Sequence, residues 1–99
     1  MNDYLLLMHA GAPGDAGDRD DAWAAYVARL RAANAFEGGS AIGDGMCVSK
    51  AGSDAEIARH IVGYVRVRAA SLDAARVLLA GNPVYEAGGT IEIRELPRG

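Results

Sequence analysis

Three short segments carry the hydrophobic pattern of β-strands. Residues 4–9 form an apolar run that ends in His9, which predicts a strand in the interior of a sheet, covered on both sides. Residues 60–68 alternate with a period of two, so one face is mainly apolar and the other carries Arg66 and Arg68. Residues 90–94 also alternate and predict the final strand, with Ile91 and Ile93 on one face.

Hydrophobic residues also recur with helical spacing. A first helix is predicted from Asp18 or Asp20 to about Asn34, because apolar side chains repeat at i, i+4 and i+7. The face that they define consists of Trp23, Tyr26, Val27 and Leu30.

A second helix is predicted over residues 71–80. Ser71 is its expected N-cap and Gly81 its expected C′ residue. Residues 84–89 are predicted to be a short connector that leads into the final strand.

The middle of the chain is irregular. Four glycines interrupt residues 36–48, which predicts an edge strand broken by a bulge or small hairpin. Residues 50–59 are predicted to be a polar connector, in which Ser53 and Glu56 have capping-box spacing for a single helical turn.

The element order is therefore βαββαβ, which predicts a ferredoxin-like α+β domain with a four-stranded antiparallel sheet over residues 1–99. Two helices can cover only one face of such a sheet. The other face would carry Val62, Tyr64 and one apolar set from the first strand, and is too hydrophobic to face water. We expect a second copy of the chain to cover it, so that two sheets pack as a dimeric α+β barrel with C2 symmetry.

Composition narrows the possible partners and cofactors. The chain has 99 residues and one cysteine, so its core is small and no internal disulfide can add stability to it. We expect Cys47 to be an inert buried thiol, and no Cys/His pair suggests a metal or cofactor, so none is predicted. Thirteen acidic against ten basic residues argue against nucleic acid, whose phosphates require lysine and arginine.

Targeting signals are not apparent. The longest apolar run near the start is much shorter than a membrane span and lacks a cationic leader. We expect a cytoplasmic protein that does not bind membranes.

Several segments resemble those of one protein family. Their order and spacing carry the resemblance, which extends over nearly the whole chain. The segments are residues 4–8, Trp23 with the Ala-Arg-Leu run of the first helix, Gly38-Gly39, Gly63-Tyr64, residues 71–75, Pro83 and residues 88–94. Together they resemble the YCII-related family of dimeric α+β barrel proteins. The resemblance implies a small cytoplasmic homodimer with a ligand site in a cleft beside the sheet.

The same resemblance draws attention to Tyr26 and Asn82. Some members of that family carry a histidine and an aspartate at these places, a pair suited to acid–base chemistry. An Asp-Gly-Pro-Phe motif of another branch is missing from residues 51–59. Tyr26 and Asn82 either line a small pocket and bind a polar ligand, or serve only as a packed helix residue and a helix stop.

Two further candidates come from the strands. His9 ends the first strand, where it either projects into a cleft as a base or is simply solvated. Arg66 either binds a carboxylate ligand between subunits or forms a salt bridge at the barrel rim. The predicted ligand site therefore comprises His9, Tyr26, Asn82 and Arg66.

Three functions remain open from the sequence. The first is a homodimeric small-molecule enzyme with His9, Tyr26 and Asn82 in one cleft. The second is a dimer that binds a small polar or aromatic ligand without chemistry, and the third is an accessory dimerisation module.

Overall fold

The computed structural model describes residues 1–13, 20–52 and 55–98. Within these ranges the elements are β1 (Asn2–His9), α1 (Asp20–Ala32), β2 (Phe36–Ala41), β3 (Ile61–Ala69), α2 (Leu72–Val77), α3 (Pro83–Glu86) and β4 (Ile91–Leu96). The strands form one antiparallel sheet in the order β2-β3-β1-β4. This order confirms the predicted ferredoxin-like α+β fold.

The register of the sheet places alternate residues of the central strands in the core. Leu6 of β1 lies opposite Val65 of β3 on one side and Ile93 of β4 on the other. All three helices pack on this face, and the core that they complete with the strands contains Tyr4, Leu6, Met8, Tyr26, Leu30, Val65, Val67, Ala75, Leu79 and Val84.

The opposite face of the sheet, here called the open face, carries the other alternate residues. Its centre is hydrophobic and its margins are charged. It comprises Asp3, Leu5, Leu7 and His9 from β1, Val62, Tyr64, Arg66 and Arg68 from β3, and Glu92, Arg94 and Leu96 from β4.

The first helix begins at Asp20 and places Asp20 and Asp21 in its first turn and two arginines in its last turn, as expected from the helix dipole. Asn34 adopts a positive φ of 56° just beyond the helix and ends it. The alternative start at Asp18 lies outside the described residues.

The second predicted helix is shorter than expected. α2 ends at Val77, and tighter turns follow, in which Leu79 N–H donates to the carbonyl of Arg76. Gly81 (φ +89°) then redirects the chain, so it stands beyond the turns rather than as the C′ residue of α2. The prediction of a plain connector at residues 84–89 was also wrong, because Asn82 caps a further short helix, α3, with Pro83 in its first turn.

The broken edge strand is also shorter than predicted. A register irregularity between Phe36 and Gly39 confirms the bulge, but β2 ends at Ala41, and residues 42–50 are exposed. Cys47 is among them, so the prediction of a buried thiol was wrong. The predicted turn at Ser53 lies outside the described residues.

None of the helices in the described ranges has the length and hydrophobicity needed to cross a membrane.

Candidate functional site

A cleft opens on the helical face of the sheet, between α1 and the β2–β3 half. Its volume is about 360 Å³. The walls are mainly hydrophobic: Trp23 and Val27 come from α1, and Phe36 comes from the start of β2. Met8 and Val84 also line it, and in the described part of the chain Asp20 is the one lining residue with a carboxylate.

Tyr26 lies behind the wall of this cleft rather than in it. Its side chain is 1% exposed, and its hydroxyl donates to the backbone carbonyl of Leu78 at 2.8 Å. The ring meets that of Trp23 edge-on, with centroids 6.1 Å apart. Burial raises the pKa of the Tyr26 phenol, and this outweighs the opposing effects of Asn82 and Arg29. Tyr26 is therefore a neutral packing residue that supports Trp23.

Asn82 is fully buried and has a local structural role. Its Oδ1 accepts hydrogen bonds from the backbone N–H groups of Val84 and Tyr85, at 3.0 and 3.1 Å. Its Nδ2 lies 3.9 Å from the sulfur of Met8. Asn82 thus fixes the start of α3, and with it the position of Val84 in the cleft wall.

The structure does not bring the three predicted residues into one cleft. Tyr26 and Asn82 are sealed in the core, whereas His9 lies on the open face, on the other side of the sheet. No buried side-chain nitrogen or oxygen in the described part of the chain lacks a hydrogen-bond partner, so neither Tyr26 nor Asn82 presents a free polar group to a ligand.

His9 has a partner that the sequence analysis did not pair with it. Its Nε2 lies 2.9 Å from Oε1 of Glu92 on the neighbouring strand β4. The second carboxylate oxygen of Glu92 accepts from Arg94 at 3.2 Å. Hydrogen bonds from His9 and Arg94 lower the pKa of Glu92, so this carboxylate is ionised at neutral pH. The ring of His60 meets the His9 ring edge-on, at 5.0 Å between centroids.

Arg66 is engaged by another carboxylate of the open face. Its Nη2 lies 3.5 Å from Oδ2 of Asp3, and Arg98 approaches the same oxygen to 3.4 Å. Asp3 is nearly buried while Arg66 remains half exposed. The geometry agrees with the salt-bridge interpretation of Arg66.

None of the residues that line the cleft was identified in the sequence as a ligand contact; they were assigned to the core, to strands, to the start of the first helix or to the connector after Pro83. Trp23 and Val27 were assigned to the packed face of the first helix, and nothing in the local pattern separates a packed position from a lining one. The sequence could have pointed to Glu92 as a partner of His9, because the alternation of the last strand places Glu92 on the same face of the sheet as the end of the first strand. Within the described ranges, no group of three potential metal-ligating side chains lies together.

Comparisons with known proteins address the fold. No protein-family model matches the chain, and no curated protein matches it. Among solved structures, the chain is similar to the 5-chloro-2-hydroxyhydroquinone dehydrochlorinase of Burkholderia phenoliruptrix AC1100, solved in complex with 2,5-dihydroxybenzoquinone. The TM-score is 0.59 at 19% sequence identity, and the match covers 98% of this chain and 95% of that one. The chain therefore shares its fold with a small-molecule enzyme over almost its whole length.

Proposed function

We propose that this protein is a YCII-related homodimer that holds a small, flat, mainly hydrophobic molecule in the cleft between α1 and the sheet. The cleft is the observation that carries this proposal. Its volume of about 360 Å³ is near the lower end of the range for small-molecule pockets. Trp23 and Phe36 favour a planar ring, because aromatic side chains pack well against ring faces and edges.

The carboxylate of Asp20 narrows the ligand class. Asp20 can only accept hydrogen bonds when it is ionised, so it favours a ligand with hydroxyl or amino donors and repels a carboxylate. Small hydroxylated aromatic rings fit both requirements. The dehydrochlorinase of the same fold was solved with a hydroxylated six-membered ring, which supports this class.

Homodimerisation through the open face is part of the proposal. Leu5, Leu7 and Tyr64 lie on that face only partly buried, and Val62 is exposed. The face carries both acidic and basic side chains, so two copies related by a C2 axis can place opposite charges together. A second copy would remove this hydrophobic area from water, as expected for a short chain with a small core.

A small-molecule enzyme is the second candidate function. The observation that favours it is the shared fold with a dehydrochlorinase. Among the described residues, the lining of the cleft favours binding without chemistry instead, because it includes one carboxylate, that of Asp20, and no histidine. We also propose a cytoplasmic location, where the exposed thiol of Cys47 stays reduced.

Fluorescence of Trp23 tests the ligand proposal directly, since Trp23 is the only tryptophan of the chain. We expect hydroquinone and catechol to change its emission saturably, and 4-hydroxybenzoate to bind more weakly because of Asp20. Recovering the ligand by chromatography after incubation distinguishes binding from turnover.

A variant that fills the cleft provides the matched test. Val27→Phe should weaken the saturable response, whereas Val77→Phe should retain it, because Val77 is 74% exposed on α2 and does not line the cleft. Equal binding by both variants, or no saturable response to any of these rings at millimolar concentration, would overturn the proposal.

A further inference from the structure

His9 and Glu92 form a histidine–carboxylate pair on the open face, on the opposite side of the sheet from the ligand cleft. The two side chains come from the neighbouring strands β1 and β4, whose pairing brings them to 2.9 Å from each other. Both are partly exposed, with His9 23% and Glu92 34% exposed. Arg94 holds the second oxygen of Glu92, which restricts the carboxylate to one orientation.

This arrangement decides which nitrogen of His9 carries the proton. An ionised carboxylate can only accept a hydrogen bond, so Nε2 of neutral His9 must be the donor. The proton of the neutral ring is then on Nε2, and Nδ1 keeps its lone pair. Within the described ranges, no residue forms a hydrogen bond with Nδ1.

Hydrophobic and aromatic side chains border the pair. Leu7 lies two residues before His9 on the same face, and Val62 follows the β3 residue that pairs with His9. His60 borders the same spot through its edge-on ring contact. Among the residues that the structure describes, the charged groups next to His9 are Glu92 and Arg94 from β4, and His60 is the other titratable neighbour.

We propose that His9 is a catalytic general base on the open face, positioned by Glu92, and that it moves a proton on a small carbonyl compound. Nδ1 takes the proton from a carbon next to the carbonyl group. The electron pair of that C–H bond forms the new C=C bond of an enolate, and the carbonyl oxygen takes the negative charge. The imidazolium, stabilised by Glu92, then returns the proton to carbon or to oxygen, so no further reactant is needed.

This site lies apart from the proposed ligand cleft, at the end of the open face where β1 stops, so it requires a dimer that leaves His9 accessible. The cleft measurement uses Trp23 on the helical face, whereas the base would act on the open face. Either measurement can fail while the other succeeds.

The probe 5-nitrobenzisoxazole tests for such a base. A base removes the proton from its C3 carbon, the N–O bond breaks, and a coloured nitrile-bearing phenolate forms. We expect the protein to accelerate this reaction above the buffer rate. His9→Gln should lower the protein-dependent rate at least about tenfold, since general bases contribute rate factors of that order or more.

Control variants separate a base from general protein effects. Arg76→Gln alters an exposed residue of α2 on the helical side and should keep the wild-type rate. Glu92→Gln should lower the rate and change its dependence on pH, because the stabilising charge is lost. A His9→Gln variant that remains as fast as wild type would overturn the proposal.

Nitrogen NMR of the imidazole rings gives a readout that does not depend on any substrate. The chain has two histidines, so His60→Gln assigns the remaining ring to His9. We expect the neutral His9 ring to be protonated at Nε2 in the wild type, and to become a mixture of tautomers in Glu92→Gln. A His9 ring protonated at Nδ1 in the wild type would overturn the role of Glu92.

Discussion

Tyr26 of α1 donates its hydroxyl hydrogen to the carbonyl oxygen of Leu78, the C-cap residue of α2, at 2.8 Å. This bond ties the two helices together above the sheet. Tyr26→Phe keeps the ring but leaves that carbonyl without its partner, so we expect the free energy of unfolding to fall by about 1–2 kcal/mol. Urea denaturation measures this change. Tyr85→Phe, at an exposed tyrosine, is the matched control and should behave as wild type.

Alkaline pH provides a second test of Tyr26. Burial raises the pKa of Tyr26 in the folded state above its ordinary value. The unfolded chain therefore loses this proton first, and stability should fall as pH rises above about 10. Tyr26→Phe should lose less stability than wild type over the same range in urea titrations. An identical alkaline decline in both proteins would show that Tyr26 does not contribute to it.

Gly39 of β2 lies directly against the backbone of β3. A Cβ atom at Gly39 would lie 2.8 Å from the backbone oxygen of Tyr64 and 3.3 Å from the Cα of Val65. Because backbone atoms cannot move aside locally, we expect Gly39→Ala to destabilise the fold by about 1–3 kcal/mol. Gly45→Ala is the control, since a Cβ atom at Gly45 would meet nothing within 4 Å. Thermal unfolding should separate the two variants, and equal melting temperatures would contradict the prediction.

Tyr64 tests the proposed dimer. It lies at the centre of the open face, so Tyr64→Asp would place an unpaired carboxylate in the proposed interface, at a cost of several kcal/mol. We expect wild type at micromolar concentration to have about twice the chain mass in light scattering, and the variant to dissociate. Tyr85→Asp, on the exposed side of α3, should remain dimeric. A monomeric wild type would contradict the pairing of two sheets.

The pair of His9 and Glu92 predicts how stability depends on acid. Hydrogen bonds from His9 and Arg94 lower the pKa of Glu92 in the folded state. The resulting stability is present above the ordinary pKa of a glutamate and is lost as pH falls through the lowered value, below about pH 4. Glu92→Gln should therefore show a smaller acid-induced loss in urea titrations.

His9→Gln is the companion variant for this prediction. It removes the first cause of the lowered pKa of Glu92 and should reduce the acid-induced loss in the same direction. If both variants lose as much stability in acid as wild type, the pair does not contribute to folding.

β3 was predictable from the sequence because its alternating residues can face the core in one way only. Residues 61–69 can bury Val65 and Val67 only by exposing Arg66, and the structure places them so. The end of α2 was not predictable, because Leu78 and Leu79 continue the helical spacing. Their turns depend on Asn82, which caps the next helix, and on Tyr26, which binds the carbonyl of Leu78.

The candidate site was less predictable than the fold. Tyr26 and Asn82 were singled out by family position, and their burial depends on how α1 and α3 pack, which no local pattern contains. The contact between His9 and Glu92 depends on the register of β1 against β4. The two residues are 83 positions apart in the chain, so no local pattern shows this register.

Met8 and His9 are consecutive residues that serve opposite sides of the same sheet. Met8 lines the cleft beneath α1, His9 carries the proposed base, and the strand register is irregular at the bond between them. A ligand that displaces the sulfur of Met8 in the cleft would thus shift the backbone that positions the imidazole of His9. Ligand binding in the cleft and the position of the His9 ring would then be coupled through a single peptide unit.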